Sequence, residues 1–381
     1  MYNRIISPKI KKYSHSALLL GPRQVGKSTL IKSLKPDLSI NLAREEDYFA
    51  FQENISELES RISAAQPKTI FIDEIQRIPR LMNTIQVLID DNPHLKFYLT
   101  GSSARKLRKG RANLLPGRLV TFYMSPMCYS EISEDWNIEN ALRFGFLPGI
   151  LKLTAQAEKK KVLQSYANTY LKEEIQAESL VRGIDGFIRF LREAAISSGG
   201  FLDYSKLAKK AKIPRQSVVR HFEVLEDTLI ARKVENDPDI DPDQCDLVKH
   251  PKYFFFDIGV VNALRGSFDI SGDRVGALWE YVVFNQLMNS AQAFDKEFNI
   301  YNFRTRGGLE VDFIVELDSK KTAIECKSST KIDESDYRNL LSLEKYYGKI
   351  DKIVIYRGKS EKKENGVWIV PLPKALKILG F

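Results

Sequence analysis

The sequence predicts an α/β chain built on a parallel sheet, followed by a helical segment and a second, smaller α/β region. Three observations point there. Ser16–Leu20 is a short apolar run that leads into a glycine-bearing loop and then an opening helix, Thr29-Leu30-Ile31. A second apolar run, Lys68-Thr-Ile-Phe-Ile, ends in Asp73-Glu74. Far downstream, Leu309–Val315 and Thr322–Lys327 alternate as paired strands across a turn at Asp318-Ser-Lys-Lys. Apolar runs are what strands covered on both faces require, while alternation marks strands with two different faces.

The first run predicts the start of the core. Gly21-Pro22-Arg23-Gln24-Val25-Gly26-Lys27-Ser28, followed by Thr29, has the form G-x-x-x-x-G-K-[ST] between a strand and a helix. Glycines let backbone N–H groups turn around a phosphate, and the helix N-terminus adds free donors and a favourable dipole. Residues 21–29 are therefore the expected cradle for ATP. Lys27 is expected at the β- and γ-phosphates and the Ser28 hydroxyl on Mg²⁺. The second run supplies the expected partners. Asp73 would hold Mg²⁺ opposite Ser28, and Glu74 would orient or deprotonate the attacking water. A third strand, Leu95–Leu99, ends in Thr100-Gly101-Ser102-Ser103, where either Thr100 or Ser102 could meet the γ-phosphate.

Gly-Pro-Arg-Gln-Val-Gly-Lys-Ser, Ile-Asp-Glu-Ile-Gln and Leu-Thr-Gly-Ser-Ser-Ala-Arg-Lys-Leu together resemble the prokaryotic AAA-superfamily P-loop ATPases that carry a further C-terminal region. The resemblance implies a parallel α/β ATPase core with a helical lid, a sensor near Ser102, and a trans-acting arginine near Arg118. If Arg118 serves a neighbouring subunit, the active form is a homo-oligomer, a hexameric ring being one candidate form.

With 381 residues the chain has room for several domains, and 43% hydrophobic and 28% charged residues describe an ordered globular protein. The net charge of +9 suits a polyanionic partner. Between Ala104 and Arg118 the basic residues Arg105, Lys106, Arg108, Lys109 and Arg111 occur with no acid, which fits either a loop tracking phosphates or a solvated face. Three dispersed cysteines and four dispersed histidines form neither a disulfide framework nor a zinc site. The apolar run at Ala17–Leu20 is too short for a signal peptide and no stretch approaches a membrane span, so the expected compartment is the cytoplasm.

Helices are expected over Glu139–Phe146, Ala157–Glu178 and Gly186–Ser197, with Arg182, Arg189 and Arg192 as possible second sensors. Tyr204–Ala211, a turn at Ile213-Pro214, Arg215–Glu226 and a strand over Thr228–Val234 read as a winged helix-turn-helix. Its second helix can turn Arg215, Gln216 and Arg220 outward, toward duplex or branched DNA, while Val218, Val219, Phe222 and Leu225 pack. Asp237–Asp243 has the acids of a calcium loop but not its glycine and glutamate, and reads as an acidic surface loop.

In the last third, Trp279–Leu287 reads as an amphipathic helix carrying Glu280. Strand alternation puts Glu325 and Lys327 on one face, which Asp312 can join across the hairpin. Acids that hold Mg²⁺ beside a lysine are the parts of metal-assisted phosphodiester hydrolysis. This pattern resembles the restriction-endonuclease-like superfamily, with Val311 in place of the usual proline. The resemblance implies a nuclease or a DNA-binding module. The expected organisation is thus an ATPase core over 1–135, a lid over 136–198, a winged helix over 199–250 and a nuclease-like domain over 251–381. The expected function is a Mg²⁺-dependent ATPase acting on DNA. A regulatory switch acting on a protein partner is the competing reading.

Overall fold

A computed structural model describes residues 2–102, 115–170, 184–241 and 245–381. The chain divides into two compact units, Met1–Pro126 with Asp227–Ile230, and Met127–Glu226 with Ala231–Phe381. The expected boundaries at 135, 198 and 250 subdivide the second unit more finely than this division does.

The first unit is organised by five parallel strands: β1 (Ser16–Leu20), β2 (Leu38–Asn41), β3 (Thr69–Asp73), β4 (Lys96–Gly101) and β5 (Leu119–Tyr123). Their order in the sheet is β2-β3-β4-β1-β5. Every residue of β1 is buried, as a central strand covered on both faces should be. The helix Leu81–Asp91 packs Leu81, Met82, Ile85 and Leu88 from one face into the same core as Ile70, Ile72, Phe97 and Leu99. Emptying that contact with Ile85→Ala would cost about 2–5 kcal/mol. Leu20 pairs with Gly101 and Ile72 with Leu99, so the carboxyl ends of β1, β3 and β4 open on one edge. β1 lies between β4 and β5, strands reached by separate crossovers, and such a switch point is where open α/β sheets bind ligands.

The second unit begins with helices. Ile138–Phe144 is shorter than expected because Gly145, at φ 67°, ends it. A side chain at Gly145 would also strike the Asp257 carboxylate, 2.2 Å from an added Cβ. The expected helix over Ala157–Glu178 is Gln156–Ser165 with a π turn at Tyr166–Tyr170, and the remainder lies outside the described residues. Ile184–Ser197 follows.

The helices Tyr204–Ala211 and Arg215–Asp227 are joined by a tight turn in which Lys212 takes the left-handed conformation. Asp203 caps the first through the amides of Ser205 and Lys206. The strand expected over Thr228–Val234 starts later. The helix runs through Asp227 and Leu229 turns at φ 60°, so β6 is only Ala231–Val234. It pairs antiparallel with β7 (Lys252–Phe255).

The acidic stretch that follows β6 is not simply a surface loop. Asp237 is 2% exposed, and Lys321 donates to both of its carboxylate oxygens at 2.7 Å and to Asp239 at 2.6 Å. A lysine therefore neutralises the acids that resembled a calcium loop.

The remaining strands are β8 (Phe298–Arg304), β9 (Glu310–Leu317), β10 (Lys320–Lys327), β11 (Asp351–Tyr356), β12 (Lys362–Glu364) and β13 (Val367–Pro371). They form a mixed sheet in the order β12-β13-β11-β10-β9-β8. Asp318 and Ser319 both have positive φ, the geometry of a tight hairpin turn, and fix Ile324 opposite Phe313.

The helix Val275–Ala293 departs from its amphipathic expectation, being buried nearly all round. Trp279 donates to the Ile355 carbonyl at 3.0 Å on the sheet side. Elsewhere on the helix, Asn285 accepts from the Ile258 amide, and Gln286 and Asn289 both donate to the Met127 carbonyl. Its polar residues satisfy buried backbone groups and do not face water.

Candidate nucleotide site

The phosphate loop is held by backbone on both sides. Gly21 N–H donates to the Gly101 carbonyl at 3.3 Å and Met124 N–H to the Leu20 carbonyl at 2.8 Å. A Cβ at Gly21 would lie 2.1 Å from the Met124 carbonyl oxygen, so no other residue fits. Gly26, at φ 99°, makes the left-handed turn that opens the helix Lys27–Ser33. Pro22 and Val25 are buried, Arg23 and Gly26 are partly exposed, and Gln24 and Thr29 are exposed. Lys27 is 5% exposed, and its ammonium donates to the Gly21 and Pro22 carbonyls at 2.8 Å each. A buried cation that donates to neutral carbonyls of its own loop can exchange them for phosphate oxygens.

Across the loop, Ser28 Oγ donates to Asp73 Oδ1 at 2.8 Å, bringing together the two expected Mg²⁺ groups from β3 and from the loop's helix. The Thr100 hydroxyl donates to the same Asp73 oxygen and accepts weakly from the Glu74 amide at 3.4 Å. A hydroxyl and a carboxylate oxygen, both hard ligands, suit Mg²⁺.

Glu74 has a left-handed backbone, φ 60°, which is unfavourable for a non-glycine residue and characteristic of functional sites. Its carboxylate accepts from Gln76 Nε2. The same amide donates to Ser102 Oγ at 3.1 Å, and Gln76 Oε1 is buried without a partner. Thr100 holds Asp73, and Ser102 is linked through Gln76 to Glu74.

Gln76 was not anticipated as a site residue. Its place in Asp-Glu-Ile-Gln was visible in the sequence, but only the short helical turn Ile75–Arg77 reveals that it folds back toward Glu74.

Arg118 stands at the start of β5 in a two-point pair with Asp90, Nε to Oδ1 at 2.5 Å and Nη2 to Oδ2 at 2.9 Å. That hydrogen bonding holds Asp90 below the usual carboxylate range. Arg105, Lys106, Arg108, Lys109 and Arg111 lie outside the described residues, as does Arg182. Arg215, Gln216 and Arg220 are exposed on the second helix of the pair, while Val218, Phe222 and Leu225 are buried and Val219 is half-buried.

The distal acids form a different kind of centre. Glu280, Asp312 and Glu325 lie within electrostatic reach of one another. Burial, then the charge of Asp312, pushes Glu280 up to about 7 and Glu325 up to about 8, and burial raises Asp312. Lys327 donates to Glu325 Oε1 at 3.1 Å, and Glu325 Oε2 is buried without a partner. Lys252, which sequence reasoning missed because it lies on a strand remote from the others, sits 3.1 Å from Glu280 and 3.6 Å from Glu310. Burial works against its charge, but Glu280, Asp312 and Glu310 outweigh that and raise its affinity for the proton. One Asp312 oxygen is occupied by the Cys326 amide at 2.7 Å.

Among the described residues, no three or more His, Cys, Asp or Glu side chains are arranged to hold a metal ion. Glu280, Asp312 and Glu325 nonetheless share one electrostatic neighbourhood, with Lys327 beside Glu325 and Lys252 beside Glu280.

Residues 14–133 match the AAA domain family, 135–271 a domain of unknown function (DUF8612) and 275–375 another (DUF4143). The N-terminal stretch is thus similar to AAA domains, and the matched stretch contains every phosphate-loop residue. Uncharacterized proteins of Mycobacterium bovis and Mycobacterium tuberculosis are each 25% identical over 345 residues, 86% of this chain and 74% of the relative.

Two solved structures are similar at a lower level. A replication initiator DnaA bound to AMPPCP and single-stranded DNA has a TM-score of 0.27 at 10% identity, covering 58% of this chain and 86% of that one. A DNA replication initiation factor has a TM-score of 0.24 at 12% identity, covering 76% and 92%. Similarity at that level carries no argument here. No helix among the described residues is long and apolar enough to cross a membrane.

Proposed function

We propose that the chain is a Mg²⁺-dependent ATPase that acts on DNA as a homo-oligomer. One observation carries the ATPase reading: Ser28 and Asp73 meet at 2.8 Å beside the phosphate loop, with Glu74, Gln76 and Ser102 linked behind them. In this reading Lys27 leaves the Gly21 and Pro22 carbonyls for the β- and γ-phosphates. Ser28 and Asp73 would hold a Mg²⁺ ion, which when bound would supply positive charge for the phosphates. Glu74 orients the attacking water, and Gln76 keeps its carboxylate in register with Ser102.

Action on DNA is supported by the net charge of +9 and by the exposed Arg215, Gln216 and Arg220 on a helix-turn-helix. The buried acids and lysines of the distal centre support either a nucleic-acid-binding or a metal-dependent nuclease role for the second unit. Arg118 acts in trans only if it gives up Asp90.

The test is ATP hydrolysis in Mg²⁺ buffer, with and without duplex and branched DNA. Lys27→Ala and Glu74→Gln should both abolish turnover. Absence of hydrolysis would sink the enzyme reading. Hydrolysis that ignores DNA, with no DNA retardation at moderate salt, would leave a nucleotide-dependent switch acting on a protein.

A further inference from the structure

A cleft of about 630 Å³ opens in the second unit, well within the size of small-ligand sites. One wall is the Gly199-Gly200 turn, in which Gly199 takes φ 84° and Gly200 is exposed. Lys206 and Lys210, one turn apart on the Tyr204–Ala211 helix, line a second wall, and Arg265 and Arg274 line a third. Glu280 lies in its lining as well.

The acids around this cleft already have partners. Asp203 caps its helix, Asp273 is held by the Ser271 hydroxyl, and Glu280 pairs with Lys252. The cations are not balanced in the same way. Arg274 is held by Ser267, the Asp269 carbonyl and Asn262. Arg265 is half-buried and has no hydrogen-bonded or ion-paired partner among the described residues. Burial and the neighbouring Arg274 charge both work against its proton. Two neighbouring guanidinium groups, one with no partner among the described residues, offer donors for phosphate oxygens, while the lysines extend the positive charge along the cleft.

We propose that this cleft is a phosphate-binding site, made of residues other than the phosphate loop, for a ligand carrying two or more adjacent phosphate groups. A nucleotide polyphosphate and a phosphodiester strand both present anionic phosphate oxygens at successive positions. Arg265 and Arg274 grip one phosphate, Lys206 and Lys210 meet the next, and the Gly199-Gly200 backbone admits the chain that joins them. The site stands whether or not the ATPase reading does.

The experiment uses the full chain carrying Lys27→Ala, so that the phosphate loop does not compete. Its probes are inorganic pyrophosphate, followed by calorimetry, and a short fluorescein-labelled oligothymidylate, followed by anisotropy. Arg265→Met should weaken binding tenfold or more, the effect of losing a charge-assisted hydrogen bond from a half-buried site. Lys210→Glu, on an exposed position that cannot unfold the unit, should weaken it several-fold. Pyrophosphate binding sensitive to both variants supports a nucleotide source, and strand binding sensitive to both supports a polymer. The proposal is overturned if neither probe binds, if both variants bind as the parent does, or if strand binding falls only with Arg215→Met.

Discussion

The two polar centres of this protein use similar residues to opposite ends. At the phosphate loop, Ser28, Asp73, Thr100, Glu74 and Gln76 hold one another, and Lys27 rests on neutral carbonyls. Its charges await a ligand. In the second unit, Lys252 and Lys327 pair with Glu280, Glu310 and Glu325 within the fold, although one Glu325 oxygen stays buried without a partner. Three carboxylates near a lysine are thus no proof of a metal site. What matters is whether the cations nearby are free to exchange partners.

That contrast can be broken or sharpened by experiment. The largest effect is expected at Lys27→Ala, which should lower ATP turnover by about 100-fold or more, while Glu325→Gln leaves it unchanged. Equal losses from both variants would erase the distinction between the two centres. Glu74→Gln should lower turnover by a comparable factor with nucleotide affinity retained, because the water and not the phosphate chain loses its partner. A matching loss of affinity would make Glu74 part of the binding surface instead.

Lys252→Met tests the second centre by stability. It leaves Glu280 in the interior and the half-exposed Glu310 without their cation, a change of about 3–5 kcal/mol in denaturant unfolding. If the variant is as stable as the parent, the centre is not self-compensated. A metal titration that restores stability to the variant would show that a cation can take the lysine's place.

Asp257 gives a smaller, pH-dependent effect. It is fully buried, accepts from the Phe146 amide at 2.6 Å, and is pushed up to about 6 by burial. A carboxyl with a raised value in the folded state favours folding most at low pH, and that contribution is lost as pH rises through about 6. The stability difference between the parent and Asp257→Asn should therefore shift against the parent between about pH 4 and 6, then level off. A flat difference would mean the group ionises as freely when folded.

The smallest stability effect is expected at Asp90→Asn, which frees Arg118 from an exposed pair and should leave the melting temperature within error. Its use is functional. If Arg118 completes a neighbour's site, Asp90→Asn should raise turnover in proportion to protein concentration, and Arg118→Ala should lower it. No change in either would confine Arg118 to its pairing with Asp90.

Local pattern determined the parts of this protein that are contiguous in the chain. Gly21–Ser28, the run ending at Asp73-Glu74 and the hairpin around Asp318 each occupy a short window whose residue types permit few backbone paths. The same holds for the Tyr204–Ala211 and Arg215–Asp227 helices, whose apolar positions recur on one face. Tertiary structure alone decided which polar groups meet. Gln76 reaches Glu74 and Ser102 through a helical turn, Lys321 buries Asp237, and Lys252 crosses from β7 to Glu280. It also decided that the Val275–Ala293 helix is enclosed, since its asparagines and glutamine satisfy backbone groups far away in sequence. Periodicity reports whether a residue can face inward. The partner that makes burying a polar group tolerable comes from another segment, and no window of the sequence contains both.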